Sequence, residues 1–122
     1  MLRKNLIVAT FMAISAIATA QTEAIEKANK NFQLANFGEA ARAYEKILPT
    51  LRDTFGMTER LADCYFHLAQ FDLAEKWYIK ALEKEETSVE ALYRAGEVSK
   101  ILGNMSDAQH FWEAYANFQR KK

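Results

Sequence analysis

Three stretches decide how this chain folds: Asn36-Phe37-Gly38-Glu39-Ala40-Ala41-Arg42-Ala43-Tyr44, Gln70-Phe71-Asp72-Leu73-Ala74-Glu75-Lys76-Trp77-Tyr78 and Asn104-Met105-Ser106-Asp107-Ala108-Gln109-His110-Phe111-Trp112. In each, an apolar residue is followed by alanine three positions later and by an aromatic ring four beyond that. Ala40, Ala74 and Ala108 are 34 residues apart, as are Tyr44, Tyr78 and Trp112. Twelve positions before each alanine lies another small residue: Ala28, Ala62 and Gly96. A fixed period of this length signals a repeated supersecondary unit. Small residues on facing helices let two backbones approach, and the ring fills the space beside them. One such unit cannot bury its own apolar surface, so neighbouring units must stack.

Working outward from these stretches, the period predicts helices near 22–34, 38–52, 57–68, 71–84, 88–102 and 105–120. Thr87-Ser88-Val89-Glu90 reads as a capping box that opens the fifth helix, while Gly103-Asn104 ends it and supplies an N-cap to the sixth. Pro49 falls late in the second helix, where it should kink or end it. No stretch alternates apolar and polar residues between turn clusters, so no strand is expected. The fold class is all-α: a right-handed α-solenoid of three helix-turn-helix repeats at about 21–54, 55–88 and 89–122.

The first twenty residues are of another kind. Arg3 and Lys4 precede an apolar run from Leu6 to Ala18, and Ala18-Thr19-Ala20 offers small residues at a cleavage site. That is the layout of a signal peptide, 1–20, and a run of 13 residues is short for a spanning helix, which needs about 20. Cleavage after Ala20 would leave a chain beginning at Gln21 with no later transmembrane segment. Sixteen basic residues balance sixteen acidic ones, so the net positive field that nucleic-acid binding requires is absent. Losing Arg3 and Lys4 would leave 14 basic against 16 acidic, a net of minus 2. The only basic run, Arg120-Lys121-Lys122, reads as a solvated end. Cys64 is the single cysteine, so no internal disulfide is available, and Gln21 stands where a lipoprotein would need a cysteine.

The recurring residues resemble the tetratricopeptide repeat over nearly all of 21–122. The first repeat departs from that pattern, with Lys27 and Asn31 in place of leucine and tyrosine. Leu61-Ala62-Asp63-Cys64-Tyr65, Ala74 to Tyr78, Ala91 to Gly96, and Gly103 through Tyr115 are similar to the N-terminal repeat module of Bacteroidota envelope proteins of the OmpA family, some of them associated with type IX secretion and gliding. In those, a β-propeller and an OmpA-like domain follow, and neither is found here. The resemblance implies an exported protein of a Gram-negative bacterium, in the periplasm or on the periplasmic face of the outer membrane. It implies binding to other envelope proteins or peptides.

Helical spacing places Asn29, Phe32 and Gln33, then Glu59, Asp63, Phe66 and His67, then Tyr93, Glu97, Lys100 and Ile101 along a groove formed by the first helices. Phe32 and Phe66, 34 apart, are either ligand anchors or core residues between repeats. Ile25, Glu59 and Asp63 stand where related chaperone adaptors carry a carboxylate clamp, so a carboxylate-tail ligand is disfavoured and a basic or neutral peptide suits the groove better. Phe111, Trp112, Tyr115 and Phe118 crowd the last helix. Phe111, Tyr115 and Phe118 form a candidate C-terminal interface for a partner or a homo-oligomer, the alternative being that they pack inward.

His67 and His110 have no companions at metal-ligand spacing, and no phosphate loop or nucleophile elbow occurs. No enzyme activity, cofactor or metal is expected. The function expected is a protein-interaction scaffold that assembles or holds an envelope complex. A self-associating structural protein and an accessory subunit of an envelope enzyme are the competing readings.

Overall fold

The computed structural model describes residues 2–54 and 56–121. Met1, Phe55 and Lys122, on which the outer bounds of the expected segments and the last basic residue fall, lie outside the described residues. The chain forms α1 (Leu2–Gln33), α2 (Phe37–Ile47), a 3-10 turn (Leu48–Thr50), α3 (Met57–His67), α4 (Phe71–Glu83), α5 (Val89–Ile101) and α6 (Met105–Arg120). Among the described residues there is no strand.

Two helices differ in extent from the sequence reading. α1 begins at Leu2 rather than near residue 22, because nothing from Leu2 to Gln33 is glycine or proline and the junction is rich in alanine, the best helix former. Its leading part stands clear of the bundle, with Leu6, Phe11 and Met12 exposed. By length and composition this helix could cross a membrane, and its place near the N-terminus is compatible with a signal sequence. α2 stops at Ile47 instead of reaching residue 52. Pro49 has no N–H to continue the ladder, so the chain tightens into Leu48–Thr50, closed by Leu51 N–H donating to the Leu48 carbonyl at 3.2 Å.

The turn within each helix pair is the same object three times. Ala35, Ala69 and Gly103 adopt positive φ of 59°, 57° and 79°. The following N–H reaches back five residues, Asn36 to Asn31, Gln70 to Tyr65 and Asn104 to Ser99, at 2.9, 2.9 and 2.8 Å. This 6→1 bond with a left-handed residue is the Schellman ending, and it folds α2 back on α1, α4 on α3 and α6 on α5. Glu85, at φ 57°, ends α4 in the same way, with Glu86 N–H on the Ala81 carbonyl.

The helix α5 starts differently from the expected capping box. Ser88, not Thr87, is the N-cap, and its hydroxyl oxygen accepts from Ala91 N–H at 3.2 Å. The acidic partner of the box is not Glu90. Glu59 on α3 accepts the Ser88 N–H at 2.6 Å and its hydroxyl at 2.8 Å. A tertiary contact thus does what the local glutamate would have done. Asn104 precedes α6, but its side chain caps nothing and donates to Glu75 on α4 at 2.6 Å.

Packing runs along the chain. Beyond the three pairs, α2 lies against α3, α4 against α5, and α3 touches α5. Ala28, Ala40, Tyr44, Ala62, Ala74, Tyr78 and Ala108 are fully buried, Gly96 is buried, and Trp112 is half-buried over it. The positions held by Lys27, Lys30 and Asn31 on α1 are held by Leu61, Cys64 and Tyr65 on α3 and by Ala95, Val98 and Ser99 on α5. The latter six are buried, and Tyr65 donates to Glu45 of α2. Lys27 and Lys30 are exposed. The departures of the first repeat are therefore polar residues on the face turned away from the other two pairs.

Candidate functional site

The first helices of the three pairs are tied by two clamps of one design. In the first, Asn29 Oδ1 on α1 accepts the Tyr44 hydroxyl at 2.8 Å and Arg60 Nη1 of α3 at 3.2 Å. In the second, Asp63 on α3 accepts the Tyr78 hydroxyl at 2.6 Å and Arg94 Nη2 of α5 at 3.0 and 3.1 Å. Each member of one clamp is 34 residues from its counterpart in the other. An acceptor on a first helix, a tyrosine on the second helix and an arginine from the next pair meet at one point.

The electrostatics follow from burial. Loss of solvent pushes the Tyr44 hydroxyl up to about 12, with Arg60 opposing. The Tyr78 hydroxyl is pushed up by burial and then by the Asp63 charge. Burial works against the charge on Arg94, but Asp63 and then Tyr78 outweigh it, so the guanidinium is held above its ordinary value. Next to Asp63, burial first and that carboxylate second push the Cys64 thiol up to about 12. A buried protonated thiol is a core residue and not a nucleophile.

These contacts redistribute the residues expected to line a groove. Asn29 and Asp63 are occupied by the clamps, and Asp63 is only 7% exposed. Glu59 is occupied by the start of α5. The carboxylates of Glu59 and Asp63 are therefore spent inside the protein. Phe32 and Phe66 are half-buried and meet the rings of Phe37 and Phe71 edge-on at 5.8 and 6.2 Å, so they close the helix pairs. His67 stacks on Phe37 at 4.3 Å with one side exposed. Gln33 and Lys100 are exposed, Tyr93 and Ile101 are 52% and 61% exposed, and Glu97 is half-buried.

The last helix also divides. Phe111 is 1% exposed, which removes it from any interface. As α6 lies on α5, Phe111 faces inward and fills the core beside the half-buried Ala114 and Tyr115. Phe118 is 44% exposed and flanks a cleft of about 330 Å³ with Leu82 and Leu92. Tyr115 turns toward Tyr93, with ring centroids 5.9 Å apart. Together with Arg94, Glu90 and Gln119 they border a cleft of about 350 Å³. One residue expected in the groove and one expected at the C-terminal interface thus belong to a single surface.

A larger groove of about 540 Å³ lies between α1 and α2, floored by Ala24, Ala43 and Ile47 and rimmed by Lys27 and Lys46. Ile17 of the leading segment forms part of its wall. Among the described residues no group of three His, Cys, Asp or Glu side chains stands together to hold a metal ion. Arg60 and Arg94, which complete the clamps, were invisible as candidates because an arginine in a polar helix reads as surface charge. Their spacing of 34 was the available signal. No family model matches the sequence.

Proposed function

We propose that this chain is an exported scaffold of the tetratricopeptide kind, in which three helical hairpins stack into a right-handed solenoid and hold another envelope protein on the surface made by α1, α3 and α5. The observation that carries this reading is the pair of clamps, Asn29-Tyr44-Arg60 and Asp63-Tyr78-Arg94, repeated at the same period as the small residues. Two junctions of one design between successive hairpins are what a stack of repeats requires. The leading apolar helix supports export, and the resemblance to envelope repeat modules supports the place.

The exposed residues left to meet a ligand are Gln33, His67, Tyr93, Lys100 and Ile101, with a cleft beside Tyr93 and Tyr115. Rigid rings and an exposed isoleucine suit a partner segment that inserts an apolar side chain, since such anchors dominate binding energy. A copy of the chain docked through Phe111 loses its support, that ring being buried.

Photo-crosslinking in the producing cells tests the proposal. A benzophenone side chain placed at Tyr93 or Ile101 should yield one adduct of defined mass, whereas the same group at the exposed Lys76 of α4 should not. Adducts of equal yield from both faces, or none from the groove, would remove the groove as the binding surface.

A further inference from the structure

Two buried polar atoms share a cleft away from the surface of α1, α3 and α5. Between the 3-10 turn, the start of α3 and α4 lies a space of about 380 Å³, lined by Leu48, Pro49, Thr58 and Trp77. Thr58 is 1% exposed, and among the described residues neither its hydroxyl oxygen nor the buried indole nitrogen of Trp77 has a hydrogen-bond partner. Such groups cost free energy when left unmade inside a protein, so their presence needs a reason. Packing does not supply one. The residues 34 before and after are Ala24 and Leu92 for Thr58, and Ala43 and Phe111 for Trp77, all apolar. Lys80, Lys84 and Glu83 also line the cleft, and all three are exposed. The Lys80 ammonium sits 4.3 Å from the centroid of the Trp77 ring, which fixes a cation over the ring that carries the unmet N–H.

We infer that this cleft binds a small monocarboxylate with an apolar body, its carboxylate accepting from the Trp77 indole and the Thr58 hydroxyl beside Lys80, and its body lying on Leu48 and Pro49. The class of ligand follows from the donors. An indole N–H and a lysine ammonium can only donate, and a hydroxyl can donate as well. What all three lack is an acceptor, and a charged acceptor makes the stronger bonds. Charge then narrows the choice. Two lysines against one glutamate leave a single excess positive charge at the cleft, which a monoanion matches and a phosphate dianion exceeds. The volume falls within the range of about 300–1,000 Å³ usual for small-molecule sites. Every residue involved lies between Leu48 and Lys84, so the inference depends neither on the proposed groove nor on the stacking of all three hairpins.

Hexanoate serves as the probe, titrated into the full nitrogen-15-labelled chain and followed by the indole N–H signals of its two tryptophans, Trp77 and Trp112. The Trp77 signal, identified by its loss in Trp77→Phe, should move saturably while that of Trp112 stays. Hexanol at the same concentrations should leave both in place. Thr58→Val keeps the shape and removes the unpartnered hydroxyl, so it should fold with an undiminished thermal midpoint and bind hexanoate about fivefold more weakly. Thr58→Ser, which keeps the hydroxyl, should bind as the parent does. Lys80→Gln should weaken binding roughly tenfold or more, as expected for loss of a charged donor. No saturable shift with hexanoate, or an equal one with hexanol, overturns the inference. Inorganic phosphate binding as tightly as hexanoate overturns it too, by making the cleft an unselective anion patch. A Thr58→Val chain with a lowered thermal midpoint and an unchanged response to hexanoate would give the hydroxyl a structural role, such as holding a bridging water, and would equally refute the site.

Discussion

Gly96 is the one small position of the repeat that cannot accept a methyl group. Ala28 and Ala62 carry theirs fully buried in the core, but a Cβ on Gly96 would fall inside the Trp112 indole. The wider ring on α6 and the missing side chain on α5 are two halves of one fit. Gly96→Ala should therefore cost about 1–3 kcal/mol, the usual penalty of overpacking, seen as a lower urea midpoint with a shifted tryptophan emission. An unchanged midpoint would mean that the indole moves aside freely. A second consequence concerns alkali. Cys64 and Tyr44 hold their protons to about 12 in the folded chain, against ordinary values of 9.0 and 10.0. Below about pH 9 both states are protonated and these groups leave stability independent of pH. Above it the unfolded chain loses protons first, so stability falls as pH rises toward 12. Urea midpoints measured at pH 8 and 11 should show that fall, and Cys64→Ala should reduce it. At this scale the small-residue pattern was legible from spacing alone. The clamps were not, because sequence cannot tell a half-buried guanidinium from a solvated one.

Among the elements, the three turns were legible in place but not in cost. Only Gly103 is a glycine; Ala35 and Ala69 occupy the same left-handed conformation with a side chain. A residue with a Cβ pays about 1–2 kcal/mol there, offset in a glycine variant by about 0.5–1 kcal/mol of extra freedom in the unfolded chain. Ala69→Gly should raise stability by roughly 0.5–1 kcal/mol. Ala62→Gly, inside α3, should lower it by a similar amount, and equal signs for the two in chemical denaturation would contradict the turn assignment. The helix starts show why the rest was hidden. Thr87-Ser88-Val89-Glu90 contains a local solution to capping, yet α5 uses Ser88 with Glu59, 29 residues away. Local pattern finds that a cap exists, and only the packing of α3 on α5 decides who makes it. The unbroken run of α1 through Ala20 has a local origin instead, since no glycine or proline there stops a helix.

For the whole molecule, the proposed stack of hairpins predicts that stability is a sum of hairpin and junction terms. The junctions are unequal. That between the first two hairpins adds Tyr65 on Glu45 to the clamp at Asn29. That between the second and third has Ala95 and Ser99 at the counterpart positions of Leu61 and Tyr65, and the Ser99 hydroxyl is buried without a partner. The second junction is held instead by polar contacts, Glu59 on Ser88, Asn104 on Glu75 and the clamp at Asp63, of which the clamp alone is an ion pair. Asp63→Ala strands the Tyr78 hydroxyl and leaves Arg94 half-buried without its counter-charge, at about 1.5–3 kcal/mol. Because the loss falls at one junction, it should not spread evenly. Hydrogen exchange should show amides of α5 and α6 losing protection first and most, while those of α1 to α4 keep theirs. Asn29→Ala, removing a neutral acceptor from the better-packed junction, should cost about 1 kcal/mol and loosen α1 and α2 instead. If Asp63→Ala lowered protection equally from α1 to α6, the molecule would be one cooperative core rather than a row of hairpins, and the clamp would be a local bond with no part in holding the row together.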